Sequence, residues 1–358
     1  MSAPTSIPCD VPPWANDPSA LVLVDWSSWL HRAWHVGEVS GMLAHLVGWL
    51  TSGLLAYQPA HLALVLDDSG ETRRHKIAHP TDPDWRYKSD RDRKPDDFYQ
   101  IGRKATEIAN LHAIPCLWTP GEEADDVIAT ITARARSLGY RVWIASNDKD
   151  LHQLVEGEGR SLAVGTWNRF QDEPSAGACG SFRTAAEVRT KWGVDPWQMA
   201  DLLAIAGDSS DGIPGVEGLG FGKASALLRE YKDLESALRP SPWTPEDFES
   251  SKRAIADLAK RSKKLDAPLD LAAQRIELMS RAAIERDRAK LCAQAEIARF
   301  SRDLSALNCD CEIAIPWEDL PVGDFDVNEL RARYSALGFE RKAREVATWP
   351  KRAPWVIP

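Results

Sequence analysis

Short apolar runs that end in aspartates constrain the fold of this chain more than any other sequence feature. Continuous apolar runs of this length are typical of strands that are buried on both faces. Because helical patterns separate them, the sequence predicts an α/β fold with a parallel-rich central sheet flanked by helices. The runs lie at residues 20–25, 61–67 and 141–150, and their acids are Asp25, Asp67, Asp148 and Asp150.

An acidic helix start adds to these strand ends. Residues 121–131 place Glu123, Asp125 and Asp126 ahead of an apolar helical face. Taken alone, acids in a first turn simply complement the helix dipole, and an aspartate after a strand is usually a turn residue. In a parallel sheet, however, the carboxyl ends of the strands share one edge, where ligands bind. Several acids in register therefore favour a functional site at that rim.

A glycine-rich segment at residues 207–228 supplies two more acids, Asp208 and Asp211. Its glycines predict a tight turn between helices, with a backbone that no side chain covers. The helix that follows opens with Lys223, and a helix N-terminus favours phosphate. Such a device can hold a nucleic-acid backbone without reading bases. The glycines of the turn are Gly215, Gly218, Gly220 and Gly222.

A basic segment with interleaved aromatic residues, residues 71–94, follows Asp67, and its prolines exclude one long regular element. In isolation it is equally a solvated loop or a mobile cover that grips phosphates and stacks bases. Its position directly after a rim carboxylate favours the cover. A second basic stretch on a predicted helix either flanks a duplex or is a solvated face. That stretch contains Lys252, Arg253, Lys260, Arg261, Lys263 and Lys264.

The acids named so far cannot share one rim without cations. Two unit charges about 4 Å apart repel by roughly 4 kcal/mol at an effective dielectric near 20. Oxygen-only ligands suit Mg²⁺ or Mn²⁺, and more acids than one ion needs indicate two ions. Two such ions bind a phosphate, lower the pKa of an attacking water and stabilise the leaving oxygen. The acids are Asp25, Asp67, Glu123, Asp125, Asp126, Asp148, Asp150, Asp208 and Asp211.

The net charge of −9 argues at first against a nucleic-acid partner. The nine candidate acids, however, equal that whole excess, which leaves a nearly neutral remainder able to carry basic patches. No run of about 20 apolar residues predicts a membrane span. The N-terminus lacks a signal pattern and is interpreted as a flexible tail, residues 1–19, on a cytoplasmic protein. The six cysteines lack zinc spacing and are interpreted as reduced thiols.

The motifs match a known family in order and spacing over about residues 20–345. They are Leu-Val-Asp25-Trp-Ser-Ser, Leu-Asp67 with Arg74, Tyr87-Lys88-Ser-Asp-Arg, Gly-Glu-Glu123-Ala-Asp125-Asp126-Val, Asn-Asp148-Lys-Asp150-Leu-His-Gln-Leu and Gly-Asp208-Ser-Ser-Asp211-Gly-Ile-Pro-Gly-Val. The chain resembles the 5′-nuclease or flap-endonuclease family, in the bacterial and phage 5′–3′ exonuclease branch. That branch includes the N-terminal nuclease domain of bacterial DNA polymerase I.

The resemblance implies roles for the matched residues. Asp25, Asp67, Glu123 and Asp125 would ligate a first metal ion, and the other five acids would form a second cluster. Arg32, Arg74 and Lys88 would hold the scissile phosphate. A K⁺ ion would bind at the glycine turn. The residues expected to contact DNA are Arg73, Tyr87, Arg91, Arg93, Gly215, Gly218, Gly220, Gly222 and Lys223.

The resemblance also implies the domain organisation. Residues 20–185 would form a PIN-like nuclease core with a basic helical arch at 73–104. Residues 186–358 would form a helical DNA-binding region, with a helix-3-turn-helix at 207–228 and C-terminal helices that pack back on the core. The sequence departs from the family at Trp26, where glycine is usual, and at residues 76–86, which are longer than the usual connection. These extra residues concern the arch and therefore substrate preference.

The activity implied is a two-metal-ion 5′ nuclease that cuts DNA near a 5′ flap or free 5′ end. It would act as a monomer in the cytoplasm of a bacterial or phage-infected cell. One alternative is a non-catalytic binder of branched DNA with the same fold, which would tolerate loss of acids. The other is a related metal-dependent ribonuclease, which would lack the glycine turn and the long C-terminal helices.

Local patterns predict further elements. Ser27 or Ser28 is expected to cap a first helix, and residues 41–57 are expected to form a second. A short strand is predicted at 312–316 and a terminal helix at 327–347.

Overall fold

The computed structural model describes residues 12–89, 92–158, 163–168, 181–240, 243–262, 269–321 and 323–348. Within them the chain divides into two compact units. The sheet unit comprises the described residues within 1–76, 91–188 and 307–358, and the helical unit comprises those within 77–90 and 189–306. Arg91, Lys263 and Lys264, which the sequence singled out, lie outside the described residues, as do residues 1–11 of the expected tail.

The sheet unit is built on a sheet whose strand order, among the described residues, is β3-β2-β1-β4-β5-β6. The pairs from β3 to β5 are parallel, and β6 joins β5 antiparallel. The predicted parallel-rich α/β sheet is thus confirmed. The strands are β1 (Ala20–Asp25), β2 (His61–Val65), β3 (Cys116–Leu117), β4 (Arg141–Ala145), β5 (Val164–Asn168) and β6 (Ser181–Arg183).

The continuous apolar run of β1 is explained by helices on both faces of the sheet. Val22 and Val24 pack into one core with residues of the first two helices, whereas Leu21 and Leu23 pack into another with the third helix. Alternate side chains of a strand point to opposite faces, so neither face can be polar. The helices, with those of the rest of the chain, are α1 (Trp26–Gly48), α2 (Asp96–Leu111), α3 (Ala124–Ser137), α4 (Ala185–Trp192), α5 (Met199–Ala206), α6 (Phe221–Tyr231), α7 (Leu234–Leu238), α8 (Pro245–Ser262), α9 (Leu269–Ala293), α10 (Ala295–Ser305), α11 (Val327–Ala336) and α12 (Glu340–Glu345).

Aromatic side chains fill much of the core on the α1 side. Trp14 is fully buried, with its ring centroid 4.6 Å from that of Trp167 and 6.1 Å from that of Trp143. Leu330 and Tyr334 of α11 join the same core. Residue 14 and the C-terminal helices are therefore integral parts of the sheet unit.

The helical unit is organised around α5, which is buried along almost its whole length. Helix α5 packs against α6 and α10, and α8 lies against α9. In the described part of the chain, none of the helices combines the length and the apolar character that a membrane span requires.

Two local predictions were wrong. The first helix is not capped by Ser27 or Ser28: Asp25 caps it by accepting a hydrogen bond from the Ser28 N–H at 2.9 Å. Nor do residues 41–57 form a separate helix, because α1 runs unbroken to Gly48 and continues as a π-helix at Trp49–Leu54. A glycine within an apolar helix lowers its stability without ending it.

The strand predicted at 312–316 was also wrong, since the structure has no regular element there. The carbonyl groups of Cys311 and Ile313 accept hydrogen bonds from the Arg134 guanidinium of α3, at 2.8 and 2.9 Å. Because a side chain satisfies these carbonyl groups, the segment does not need a strand partner for them. The terminal helix predicted at 327–347 forms as α11 and α12, which Gly338 (φ +80°) separates.

Candidate metal centre and nucleic-acid interface

Asp25 stands where β1 ends and α1 begins. Its Oδ1 accepts the Ser28 N–H, and its Oδ2 accepts a hydrogen bond from the Ser146 hydroxyl at 2.6 Å. The side chain is buried, and this burial raises the pKa of Asp25 from an ordinary 3.8 to about 7. The negative charges of Asp67 and Asp148 add to the rise.

Asp125, in the first turn of α3, belongs to the same group. Its pKa is well above the ordinary value, first because of burial and then because of the charges of Asp148, Asp25 and Asp150. The effect of these acids on one another's pKa shows that acids from three strand ends and one helix start lie close together. The members of this rim cluster are Asp25, Asp67, Asp125, Asp148 and Asp150.

Hydrogen bonds to the main chain fix the loops that carry the rim cluster. The Asp67 Oδ1 accepts the N–H of Ala124 at 2.8 Å and so caps the start of α3. The Ser146 hydroxyl oxygen accepts the Asp148 N–H at 3.0 Å, and the Asp148 Oδ1 accepts the Asp150 N–H at 2.9 Å. These bonds hold the carboxylates close despite their repulsion, so the site is preorganised for a cation.

Ser146 is a residue that sequence reasoning missed. It bonds both to the Asp25 carboxylate and to the Asp148 main chain. A signal was present, because Ser146 is the first residue after β4 and precedes two of the predicted acids. Thr72, whose hydroxyl donates to the Glu123 Oε1 at 3.2 Å, carried no comparable signal.

Glu123 and Asp126 have a different environment from the rim cluster. Both are buried and share the Arg74 guanidinium, which is only 2% exposed. Arg74 Nη1 lies 2.7 Å from the Glu123 Oε2 and 3.0 Å from the Asp126 Oδ2. The Asp126 Oδ1 also accepts the Asn308 N–H at 2.7 Å. Asp126 therefore has a structural role in binding Arg74 and the Asn308 main chain, and the Arg74 guanidinium compensates the buried negative charges of Glu123 and Asp126.

Two predicted ligands lie in the helical unit. Asp208 is buried, and its Oδ1 accepts the N–H and the hydroxyl of Ser210 at 3.0 and 2.6 Å. The Asp211 Oδ2 accepts the Tyr87 hydroxyl at 3.1 Å and lies 3.7 Å from the Lys88 Nζ. Asp211 therefore connects the predicted basic cover to the start of the glycine turn.

The glycine turn is tight because two glycines approach each other through their backbones. Gly207 and Gly215 both have positive φ, and a Cβ on Gly215 would lie 2.3 Å from the Gly207 nitrogen. No larger residue fits there. Gly220 then serves as the N-cap of α6, and it makes no side-chain capping hydrogen bond. The Lys223 Nζ donates to the Gly218 carbonyl oxygen at 2.7 Å.

The remaining predicted cations are dispersed over the sheet unit. Arg32 is half-buried on α1. Arg73 is partly exposed, 3.4 Å from the Asp126 carboxylate, and Arg93 is exposed and pairs with Asp96 at 3.2 Å. The predicted arch is divided, since residues 77–90 belong to the helical unit and its flanks to the sheet unit.

The rim cluster fits a divalent cation. Its donors are carboxylate oxygens, which hard ions such as Mg²⁺ and Mn²⁺ prefer. Burial, and after it the repulsion between the acids, raises the pKa of Asp25 and of Asp125, and a bound cation would lower both pKa values.

The stability of the metal-free protein is expected to fall as the pH rises from about 4 to 7. The pKa of Asp25 is raised on folding from 3.8 to about 7, so its protonated form favours the folded state. That contribution is fully present below pH 4, is lost through pH 7, and amounts to at most about 4 kcal/mol. Urea unfolding in EDTA at pH 5 and pH 8 measures it. Millimolar Mg²⁺ should restore stability at pH 8; no effect of Mg²⁺ would contradict a cation site.

Comparisons with known proteins give two family matches that together span residues 20–328. Residues 20–193 match the family described as 5′-3′ exonuclease, N-terminal resolvase-like domain. Residues 194–328 match the 5′-3′ exonuclease, C-terminal SAM fold. The 5′-3′ exonuclease of Aquifex aeolicus is 31% identical over 259 residues, which cover 70% of this chain and 83% of that protein.

Two further proteins define how far the similarity extends. DNA polymerase I of Rhizobium leguminosarum is 35% identical over 280 residues, 70% of this chain but 25% of the polymerase. This chain therefore spans about a quarter of that relative. A structure of the bacteriophage T5 flap endonuclease, a pseudo-enzyme–product complex with DNA and metal ions, has a TM-score of 0.53 and 18% identity. The structural match covers 92% of this chain and 100% of the T5 chain. At this identity the likeness concerns the fold alone.

Proposed function

We infer the function from one premise: the chain belongs to the 5′-3′ exonuclease family. We propose that it is a structure-specific, divalent-metal-dependent 5′ nuclease. It would hydrolyse DNA phosphodiester bonds near the junction of a duplex with a 5′ flap or a free 5′ end. The observation that carries the proposal is the rim cluster. Its carboxylates lie close together although burial and mutual repulsion make their negative charges unfavourable, and a bound cation would neutralise those charges.

We propose that Asp25, Asp67, Asp125, Asp148 and Asp150 hold the divalent ions, with Mg²⁺ or Mn²⁺ as the natural choices. When bound, two such ions supply the positive charge that activates water and stabilises the departing oxygen. The protein's own groups prepare the site. Ser146 and the Ser28 N–H orient the Asp25 carboxylate, and the loop hydrogen bonds keep the other acids in place.

The remaining acids have separate parts in the proposal. Glu123 would be a ligand of the first metal ion, as the family resemblance implies, while Arg74 compensates its charge and Asp126 anchors Arg74. Asp208 and Asp211 remain candidate ligands contributed by the helical unit. Arg32 and Lys88 would meet the scissile phosphate, as the family resemblance implies.

DNA binding in this proposal is electrostatic. The N-terminus of α6 and the glycine turn offer main-chain N–H groups to phosphates, and Arg73, Arg93 and Lys223 add positive charge. We also propose that the glycine turn binds a K⁺ ion, as the family resemblance implies. The Lys223 ammonium already donates to the Gly218 carbonyl there, so the turn stabilises positive charge.

The protein is proposed to act as a monomer, because a single chain supplies every acid of the rim cluster. The cytoplasm of a bacterial or phage-infected cell is its proposed location, because DNA is its proposed substrate.

Removal of divalent ions is expected to abolish cleavage of a 5′-labelled DNA flap duplex. With Mg²⁺ the cut should fall near the junction, and EDTA should lower the rate by about 1,000-fold or more. Added Mg²⁺ should restore it. A covalently closed circular duplex, which has neither a flap nor a free 5′ end, is the control substrate, and a flap made of RNA tests the ribonuclease alternative. Tight binding of the flap duplex without cleavage would instead favour the non-catalytic binder.

A further inference from the structure

The extra residues after β2 form a folded loop in the helical unit. This docked loop, residues 77–89, has turns closed by its own hydrogen bonds. The His79 Nδ1 accepts the N–H groups of Thr81 and Asp82, at 3.3 and 2.9 Å. The Asp82 carbonyl accepts the Trp85 N–H at 3.3 Å, and its carboxylate accepts the Asp84 N–H at 3.0 Å. The loop therefore has a defined shape in which Trp85 has a fixed direction.

Aromatic contacts attach the docked loop to α10. The Trp85 ring meets Phe300 edge to face, with ring centroids 4.9 Å apart and an interplanar angle of 81°. His79 meets the same Phe300 at 4.7 Å and lies 5.6 Å from Trp85. Edge-to-face pairs at such distances are favourable beyond the area that they bury. Phe300 is itself buried in a cluster with Tyr87, Ile213 and Leu304, so the loop is tied to the core of its unit.

The residues just after Trp85 fix the position of Lys88. Tyr87 is 4% exposed and donates its hydroxyl to Asp211. Lys88 has φ +55°, a backbone conformation that residues other than glycine rarely adopt. Its ammonium lies 3.7 Å from the Asp211 Oδ2 and 4.8 Å from the Tyr87 ring centroid. Lys88 is therefore held in an uncommon conformation by neighbours on both sides.

We propose that Trp85 is a positioning residue for Lys88. Its packing against Phe300 holds the docked loop on the helical unit, and the loop then holds Lys88 in its left-handed conformation beside Asp211. This inference rests on the proposed function, in which Lys88 acts at the scissile phosphate. It adds that a folded loop, and not a mobile cover, presents the lysine.

Trp85→Ala is expected to slow single-turnover cleavage of the flap duplex by about 10- to 100-fold, because small displacements of a positioned group are costly. Binding of the flap duplex in EDTA should stay within about twofold, since Trp85 is not itself a proposed DNA contact. Trp85→Phe preserves an aromatic ring against Phe300 and should retain most of the rate. The matched control is Trp197→Ala, the same change at an exposed tryptophan of the helical unit.

A double-mutant cycle with Lys88→Ala separates positioning from other effects. If Trp85 acts through Lys88, Trp85→Ala should cause little further loss once Lys88 is alanine. A loss of equal size in both backgrounds would overturn the inference, and so would wild-type turnover of Trp85→Ala. If Lys88→Ala leaves turnover unchanged, Lys88 has no role in cleavage, and the inference about Trp85 fails together with that part of the proposed function.

A thermal melt shows whether Trp85→Ala is folded at the assay temperature. If it is unfolded, His79→Ala tests the same inference. The change removes the acceptor of the two loop N–H groups and one ring from Phe300. The inference expects a slower turnover that again depends on Lys88. Turnover equal to that of the wild type would overturn it.

Discussion

Replacing Asp25 by asparagine is expected to lower flap cleavage by about 1,000-fold, equivalent to roughly 4 kcal/mol of transition-state stabilisation. The amide removes one negative charge from the rim cluster and is a poorer ligand for a hard divalent ion. Single-turnover cleavage at saturating Mg²⁺ measures the loss. Binding of the flap duplex in EDTA should be retained, because the proposed DNA contacts lie elsewhere.

The same substitution is expected to stabilise the metal-free protein. Burial of the Asp25 charge beside Asp67 and Asp148 is unfavourable at neutral pH. Asparagine is as good an N-cap as aspartate, so the bond from the Ser28 N–H can persist. Urea unfolding in EDTA at pH 8 should show a gain of about 1–3 kcal/mol. The gain should shrink at pH 5, where Asp25 is protonated in the folded state.

Asp324→Asn is the matched control, because it removes the same charge at an exposed position. It should change neither cleavage nor stability by a measurable amount. Lower stability and unchanged cleavage for Asp25→Asn would contradict the assignment, because Asp25 would then be a structural cap. Lost activity together with gained stability is the combination expected of a site that gives up stability for function.

The sequence predicted the sheet and its acidic rim because both leave short-range signals. The β1 run is apolar at every position since helices cover both faces, and the strand ends reach one edge by the geometry of parallel pairing. Asp25 and Asp148 could therefore be assigned to one cluster from their places after strands. In the structure, burial and then neighbouring acids raise the pKa of Asp25 and of Asp125, so these acids lie close together. Their role as metal ligands stays a prediction.

Other features depend on partners that are distant in sequence. Arg74 bonds to Glu123, 49 residues away, and the nature of that contact cannot be read from either segment. Trp85 packs against Phe300 of α10, which is distant in sequence. Because the sequence does not show this contact, it predicted a mobile cover where the structure has a folded loop. The segment at 312–316 has strand-like residues, yet Arg134 bonds to the carbonyl group of Ile313 and to that of Cys311 just before the segment. Tertiary contacts overrode local preference in each case.

Replacing Arg74 by methionine is expected to destabilise the protein by about 3–5 kcal/mol, the usual effect of leaving buried charges unpaired. Glu123 and Asp126 would lose the guanidinium that lies 2.7 and 3.0 Å from their oxygens. Methionine has a similar length, so the effect reports charge and not a cavity. Urea unfolding at pH 7 measures the loss.

Arg73→Met is the control, because Arg73 is one residue away and contacts the same Asp126 at 3.4 Å, yet its side chain is 33% exposed. An ion pair that water reaches contributes about 1 kcal/mol or less. A loss for Arg73→Met as large as that for Arg74→Met would show that the pairing at Arg74 is not special. A large loss at Arg74 alone would separate two kinds of acid among the strand ends and the start of α3. One kind, represented by Asp126, is compensated by arginine and holds the fold, whereas the other, represented by Asp25, waits for a cation.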